Sequence, residues 1–401
     1  MRILFLSRWF PFPYDNGAKI RVYNVIAQLA RSHEVHLVSF CDESTTPQHI
    51  DEMRKVCPVE AVIEYKEFHP GRLRALVGYF SPFPRSVVDT FSRSMMDAVQ
   101  TAGRRFAFDM LVASQIDMAP YIQSLAVPVK VLEELEVSRI YTEYVQEPRS
   151  LRRLRKRLTW YKQQNYLRKL ADDFSAFTVV STKEASVIRQ LLPPDTQVVV
   201  VPNGVDIERY KDFYRKVEPE EDSLIYSGSL TYGPNFEAVE FFLNEVIPLV
   251  AVEFPRVKLY VTGRTEGVPL DRLPHKNCVE FTGFVEDLRP LLAGCWLNVV
   301  PLKTGGGTRL KILESLAIGT PVVSTAKGAE GLDLEPGKDL LIADNANDFA
   351  RAVISVLRDR HLRDQLSTQG HNSVALKYDW NLIAKNLLSL IQRVGSDTSS
   401  R

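Results

Sequence analysis

Three consecutive glycines, Gly305, Gly306 and Gly307, stand before Thr308, Arg309, Lys311 and Glu314. Glycines let the backbone turn sharply and let a ligand approach where a Cβ would clash. A glycine loop feeding a helix start presents unpaired N–H groups and a positive dipole end, which together make an anion site. Thr308 adds a hydroxyl, and Arg309 and Lys311 add cations. Glu314 falls on the helix face of Gly307, about 10 Å further along at 1.5 Å rise per residue. Phosphates at the loop and ribose hydroxyls at the carboxylate suit a nucleotide diphosphate. The plainer alternative is an ordinary strand–helix–strand unit with a glycine turn and Glu314 paired to Lys311 on a solvated face.

The elements that must hold these residues lie on either side. LNVVPL (297–302) has the apolar, β-branched run of a buried strand. Leu310, Leu313, Leu316 and Ala317 recur at helical spacing; Gly319 sits where a C-terminal cap belongs, and Pro321 prevents continuation. PVVST reads as the next strand.

At these residues the chain resembles the C-terminal domain of retaining glycosyltransferases with the GT-B fold, in the large family 4-like group. Their signature is Glu-x(7)-Glu around this loop and helix. The second Glu matches Glu314; the first falls at Gly306, so the carboxylate that contacts the donor sugar in the family is missing here. GGGTRLKxLE is a recurring variant of the group, and the resemblance implies that loop N–H groups hold the sugar and phosphate. It also assigns Gly17, Lys19 and Arg21 to a Gly-x-Lys/Arg-x-Arg loop that approaches the diphosphate across a cleft. PNGVD (202–206) matches the family's signature near the crossing to the second domain. Gly228 matches the first phosphate loop, but Ser229 replaces its arginine and no lysine follows, which leaves Arg309 and Lys311 to supply the positive charge. Asn235 is a further candidate ligand contact. Arg264 is expected to stack on the base or reach a phosphate. In GFVEDL (283–288) the backbone of Phe284 and Val285 would bond the base edge, and Asp287 would cap the next helix. Gln115 and Asp117 are candidate contacts to donor sugar or acceptor, at a point where relatives carry a His or an acid.

The rest of the chain supports two α/β domains. Continuous apolar strands alternate with helical patterns: RILFLS, VHLVSF, VEAVIEY, MLVASQ, VKVLEE, FTVVS and VVVVP in the first half, LIYSGS, KLYVTG, VEFTGF and DLLIA in the second. Such runs mean parallel sheets covered on both faces, with sites at the carboxyl ends of strands. The expected architecture is GT-B: an acceptor-side Rossmann-like domain over 1–205, completed by 380–395; a nucleotide-sugar-binding one over 206–379; and a disordered tail, 396–401. The charged run KVEPEED (216–222) reads as the natural boundary.

Two segments of the first half stand apart. Residues 72–88 mix aromatics, prolines and arginines and read as an acceptor-side loop or lid. Residues 149–169 form a basic helix with Leu151, Leu154, Leu158, Tyr161 and Leu167 as an apolar stripe. The preferred reading packs this stripe on the sheet; the alternative lays the helix on an anionic membrane surface, where lipid-linked acceptors reside. Glu133, Glu134 and Glu136 are read as solvated loop charges sooner than as acceptor contacts.

Net charge is +1 with 25% charged residues, against a nucleic-acid-binding protein. Cys41, Cys57, Cys278 and Cys295 are scattered, as in a reduced cytoplasmic protein. The N-terminus reads as a strand, not a signal peptide, and no apolar run approaches a membrane span. With no Asp-x-Asp and no metal-ligand spacing, no metal and no cofactor are expected. The expected activity is metal-independent, retaining transfer of a sugar from a nucleotide-diphosphate sugar to a glycan, lipid-linked or small-molecule acceptor. The alternatives are a nucleotide-sugar epimerase of the same fold and a non-catalytic nucleotide-sugar-binding protein.

Overall fold

The computed structural model describes residues 1–14, 16–274, 276–307 and 309–399, excluding the side chains of Arg139, Lys276 and 394–399. The chain divides into two units, Met1–Pro202 with Ile383–Arg401, and Asn203–Leu382. The charged run at 216–222 therefore lies inside the second unit, whose first strand already begins at Glu220.

The first unit holds a seven-stranded sheet of β1 (Arg2–Ser7), β2 (Glu34–Cys41), β3 (Val59–Glu64), β4 (Met110–Ser114), β5 (Val129–Leu135), β6 (Ala176–Val179) and β7 (Val198–Val200). All pairings are parallel, in the order β3-β2-β1-β4-β5-β6-β7. Burial explains the sequence pattern: Ile3, Leu4, Phe5 and Leu6 are all fully buried, because both sheet faces are covered. The order reverses beside β1, whose neighbours are β2 and β4. The loops after β1 and β4 therefore leave the sheet at a topological switch point. Helix α1 (Gly17–Ala30) follows β1 and is capped by Asn16, whose side chain accepts from the Lys19 N–H at 3.1 Å. Helix α2 (Leu151–Asp173) precedes β6.

The second unit repeats the scheme with β8 (Glu220–Ser227), β9 (Lys258–Thr262), β10 (Val279–Gly283), β11 (Cys295–Val300), β12 (Val322–Ser324) and β13 (Leu341–Ile342), ordered β10-β9-β8-β11-β12-β13 and parallel throughout. Here the switch point lies between β8 and β11, so the loops carrying Gly228 and Gly305–Gly307 both start there. Helix α3 (Leu310–Ile318) connects β11 to β12 and buries Ile312, Leu313, Leu316 and Ala317. Helix α4 (Trp380–Ser399) belongs to the first unit from Ile383 onward, with Ile383, Leu387, Leu390 and Ile391 buried. It is helical as far as 399, where a disordered tail was expected; 400 and 401 lie outside the described residues.

Gly319 ends α3 in the left-handed region, at φ 87°. A Cβ there would lie 2.8 Å from the Tyr214 ring, which is itself stacked on His371 at 3.8 Å between centroids. Gly319→Ala meets both the φ penalty and this contact. Its expected cost is roughly 1–3 kcal/mol of unfolding free energy, measured by urea unfolding; an unchanged midpoint would contradict the cap.

Candidate functional site

At the switch point of the second unit, β11 runs out into the glycine loop. Gly305 and Gly307 take φ values of 95° and 84°. A Cβ on Gly305 would press on Pro234 at 3.1 Å, whereas Gly307 faces open space. Thr308 lies outside the described residues. Arg309 occupies the N-cap of α3, and no side chain caps that end, so the first-turn N–H groups point at the loop. The Arg309 side chain is 7% exposed and donates from Nη1 to the Gly306 carbonyl at 2.9 Å.

Lys311 leaves the first turn of α3 toward the end of β8. Its Nζ lies 3.1 Å from the Tyr226 hydroxyl and 3.2 Å from Asn235 Oδ1, and 4.2 Å above the Tyr226 ring. The Tyr226 hydroxyl donates to Asn235 Oδ1 at 2.7 Å, and Asn235 Nδ2 donates to the Ser229 carbonyl at 2.8 Å. Gly228 closes the group: a Cβ on it would stand 2.7 Å from Nζ. Burial first, and the charge of Arg309 second, lower the Lys311 pKa to about 7.

Glu314, a half-buried residue one turn further on, accepts from the Tyr210 hydroxyl at 3.2 Å. Burial raises its pKa, against the pull of Tyr210, Arg209 and Lys311. Its hydrogen-bond partner is thus Tyr210, and the solvated Glu314–Lys311 pair of the plainer reading does not form. On the far side of β8, the Arg264 guanidinium lies 5.8 Å from the ring centroid of the exposed Phe284. Val285 is half-buried, and Gly283 turns at φ 69°. Asp287 is not the N-cap of the following helix, Arg289–Gly294; Leu288 is. The Asp287 carboxylate instead takes the Arg289 N–H at 3.1 Å and pairs with its guanidinium.

The first-unit candidates fall differently. Gly17 opens α1 and is exposed. Lys19 is 1% exposed and is held by Asp42 and Ser44 at 3.0 and 2.9 Å. Arg21 is fully buried, its Nε 2.8 Å from Glu133 Oε1. Both were expected to be ligand-facing cations; instead each is an internal tie. Glu133 was read as solvated and is buried beneath that pair, where it also accepts from Ser114. Asp117 pairs with Arg8 at 3.0 Å, and burial raises its pKa. Gln115 and Glu134 both adopt positive φ, 72° and 58°, at the carboxyl ends of β4 and β5, and the Gln115 amide donates to Glu134 at 3.2 Å. Burial pushes the Glu134 carboxyl up to about 8. Glu136 alone of the three glutamates is exposed.

Sequence reasoning did not single out Tyr210 or Tyr226. Each meets its partner across 104 and 85 residues respectively, where no spacing signal exists. Among the described residues, no group of three or more His, Cys, Asp or Glu is placed to hold a metal ion.

Two family models match, one described as Glycosyltransferase Family 4 over residues 15–209 and one as Glycosyl transferases group 1 over residues 221–359. The chain belongs to the GT-B glycosyltransferases. A sucrose-phosphate synthase from Thermosynechococcus elongatus shares the fold with a TM-score of 0.69 and 16% identity, over 99% of this chain and 100% of that one. Anabaena Alr3699/HepE in complex with UDP gives 0.67 at 17% identity, over 98% and 100%. Among curated relatives, an uncharacterized 44.6 kDa protein in the cps region of Klebsiella pneumoniae is 24% identical over 174 residues, 41% of this chain and 45% of that protein. The lipopolysaccharide core biosynthesis glycosyltransferase LpsE of Rhizobium meliloti (strain 1021) is 33% identical over 115 residues, 28% and 34%. The matched segments thus span less than half the length of either relative.

In this GT-B chain the half-buried Lys311, whose amine is desolvated, has a stability consequence. Its folded pKa, about 7, is depressed from the ordinary lysine value of 10.5. Between these values the unfolded chain binds more protons, so the penalty is full below pH 7 and fades as pH rises toward 10.5. Lys311→Met leaves Tyr226 and Asn235 bonded to each other and removes the penalty. The variant is expected to be more stable than the parent by roughly 1–3 kcal/mol at pH 7, with a margin that shrinks as pH increases, read by denaturant unfolding across that range. A margin of zero, or one independent of pH, contradicts the burial of the amine.

Proposed function

We propose that the protein is a retaining glycosyltransferase that moves a sugar from a nucleotide-diphosphate donor to a hydroxyl of a glycan, lipid-linked or small-molecule acceptor, without a metal ion. The observation that carries this reading is the convergence of the glycine loop, Arg309 and Lys311 on one end of the second sheet, with Glu314 one turn beyond. A diphosphate at the loop would meet α3 N–H groups and two cations, and Glu314 would accept from ribose hydroxyls. Gly228 keeps the space beside Nζ free of a side chain, and Arg264 with Phe284 offers a cationic and aromatic edge for the base. UDP suits the nucleotide, since Alr3699/HepE is named in complex with it.

In the reaction, the bond between the anomeric carbon and the diphosphate oxygen breaks, and negative charge gathers on the leaving group. Lys311, Arg309 and the loop N–H groups are disposed to stabilise that charge. The acceptor hydroxyl attacks the face being vacated, which retains configuration, and its proton passes to the departing phosphate. No protein nucleophile is required. Gly306 in place of the family's first Glu leaves donor-sugar hydroxyls to the loop backbone. No helix among the described residues is long and apolar enough to cross a membrane, and we assign the reaction to the cytoplasmic side, where the protein would meet a lipid-linked acceptor peripherally.

Arg309→Ala and Glu314→Ala, assayed against a panel of sugar nucleotides, are each expected to lower donor binding or turnover on the order of 100-fold. If both variants keep parental binding and turnover, the nucleotide site is elsewhere. Epimerised donor formed without acceptor would replace transfer by epimerisation, and tight binding without any turnover would make the protein a binder.

Donor binding should also be pH-dependent. A diphosphate favours the ammonium form of Lys311 and raises its pKa, so binding takes up a proton above pH 7. Affinity for UDP-glucose, whose diphosphate does not titrate near neutrality, is expected to fall by up to about tenfold per pH unit above 7. Titration calorimetry in buffers of different ionisation enthalpy reads the proton directly. A pH-independent affinity, or one unaltered in slope by Lys311→Met, contradicts this role.

A further inference from the structure

The apolar stripe of α2 was expected to pack on the sheet. Of its residues only Leu167 is buried; α2 packs through Trp160, Tyr166, Leu167 and Leu170 instead. Leu151 is 87% exposed and Leu154 63%, and Leu158 and Tyr161 on the same stripe are exposed as well. A second uncovered apolar group stands beside α2. The short helix Leu73–Val77 exposes Leu73, Leu76 and Val77, and Phe80 just after it is 93% exposed. The two are tied together, because the Lys162 ammonium bonds the carbonyls of Gly78 and Tyr79 at 2.7 and 2.8 Å.

Charge surrounds this apolar surface. Residues 149–169 hold nine lysines and arginines and no carboxylate, whereas the whole chain carries only +1, so the remainder is net negative. Preceding Glu147 is occupied by Lys156 at 2.6 Å. Arg149, Arg153 and Arg157 line a cavity of about 360 Å³ with Ser150, Tyr144 and Leu154. Arg153 lies over the Tyr144 ring at 5.8 Å. Three guanidiniums at four-residue spacing around one hollow match a phosphate, and Leu154 leads from the hollow to the apolar stripe.

We propose that this face, α2 from Leu151 to Tyr161 with residues 73–80, docks on a bilayer of anionic phospholipid, a lipid phosphate entering the arginine cavity. Aliphatic and aromatic side chains flanked by cations are what an interfacial helix presents to headgroups and acyl chains. A second copy of the chain would set nine cations against the same nine, which repels. The inference stands on the first unit alone and does not depend on the donor site.

The test uses the full chain with phosphatidylcholine vesicles, with and without phosphatidylglycerol, in a co-flotation assay. Binding is expected with phosphatidylglycerol only and should weaken with salt. Reversing the cavity, as R149E/R153E/R157E, should lower it on the order of 100-fold, and L151S/L154S/F80S should lower it by at least tenfold. These side chains are exposed or line an open cavity, so the variants should fold; unchanged circular dichroism and UDP binding check this. The proposal is overturned by absence of binding to both vesicles, by equal binding to both, or by variants that bind like the parent. Concentration-dependent dimerisation that L151S/L154S/F80S abolishes would overturn it in favour of self-association. Loss of UDP binding in Arg309→Ala with vesicle binding intact separates the two sites.

Discussion

An ammonium carried in from a helix and set against the end of a strand is the contact on which the second unit's site depends. The hydrogen-bond partners of Lys311, Tyr226 and Asn235, are neutral, so the amine is desolvated without being neutralised. This one placement explains several neighbours. Position 228 has no room for a side chain next to the amine. Asn235 turns its carbonyl oxygen to the amine and the tyrosine, which leaves its amide for the Ser229 carbonyl. Ser229, where the resemblance led to an arginine being expected, is uncharged, and the cation beside this loop comes from α3. The fold meets the cost of this desolvated amine from the packed core around β8 and β11.

Both units use the same device, a parallel sheet whose strand order reverses next to its first strand. In the second unit the reversal separates two glycine loops. In the first it separates the loops after β1 and β4, which bring Arg8 to Asp117 and lead to Gln115. There the backbone rather than a cation is under constraint. Gln115 and Glu134 sit at positive φ without being glycines, a conformation that persists only where the surroundings hold it. Their side chains bond each other, and desolvation raises the pKa of the carboxyl. A polar pair strained in this way at strand ends is a feature of functional surfaces more than of cores.

Much of this architecture was legible in the sequence, for a physical reason. Strands buried on both faces must be apolar throughout, so the runs from RILFLS to DLLIA mark strands within a residue or two of their ends, except that β8 begins four residues before LIYSGS, in the charged run at its exposed end. The glycine loop and α3 were legible because φ and helical period leave local traces. What failed was pairing over distance. Arg21 at the start of a helix looks solvated until its carboxylate arrives from β5, 112 residues away. Tyr210 and Tyr226 gave no sign of their partners for the same reason. The α2 stripe failed differently: periodicity reveals that one face is apolar, and is silent on whether anything covers it.

The pair formed by Arg21 and Glu133 has a consequence for how this fold can vary. Both ends are essentially inaccessible, 0% and 1%, and the pair joins α1 to β5 across the first sheet. Truncating Arg21 would leave the Glu133 charge in a medium that solvates it poorly, at a cost of about 3–5 kcal/mol, while replacing both with apolar residues of matched volume can be nearly neutral. The two positions are therefore bound to a common fate: a lineage would alter them jointly or keep them both.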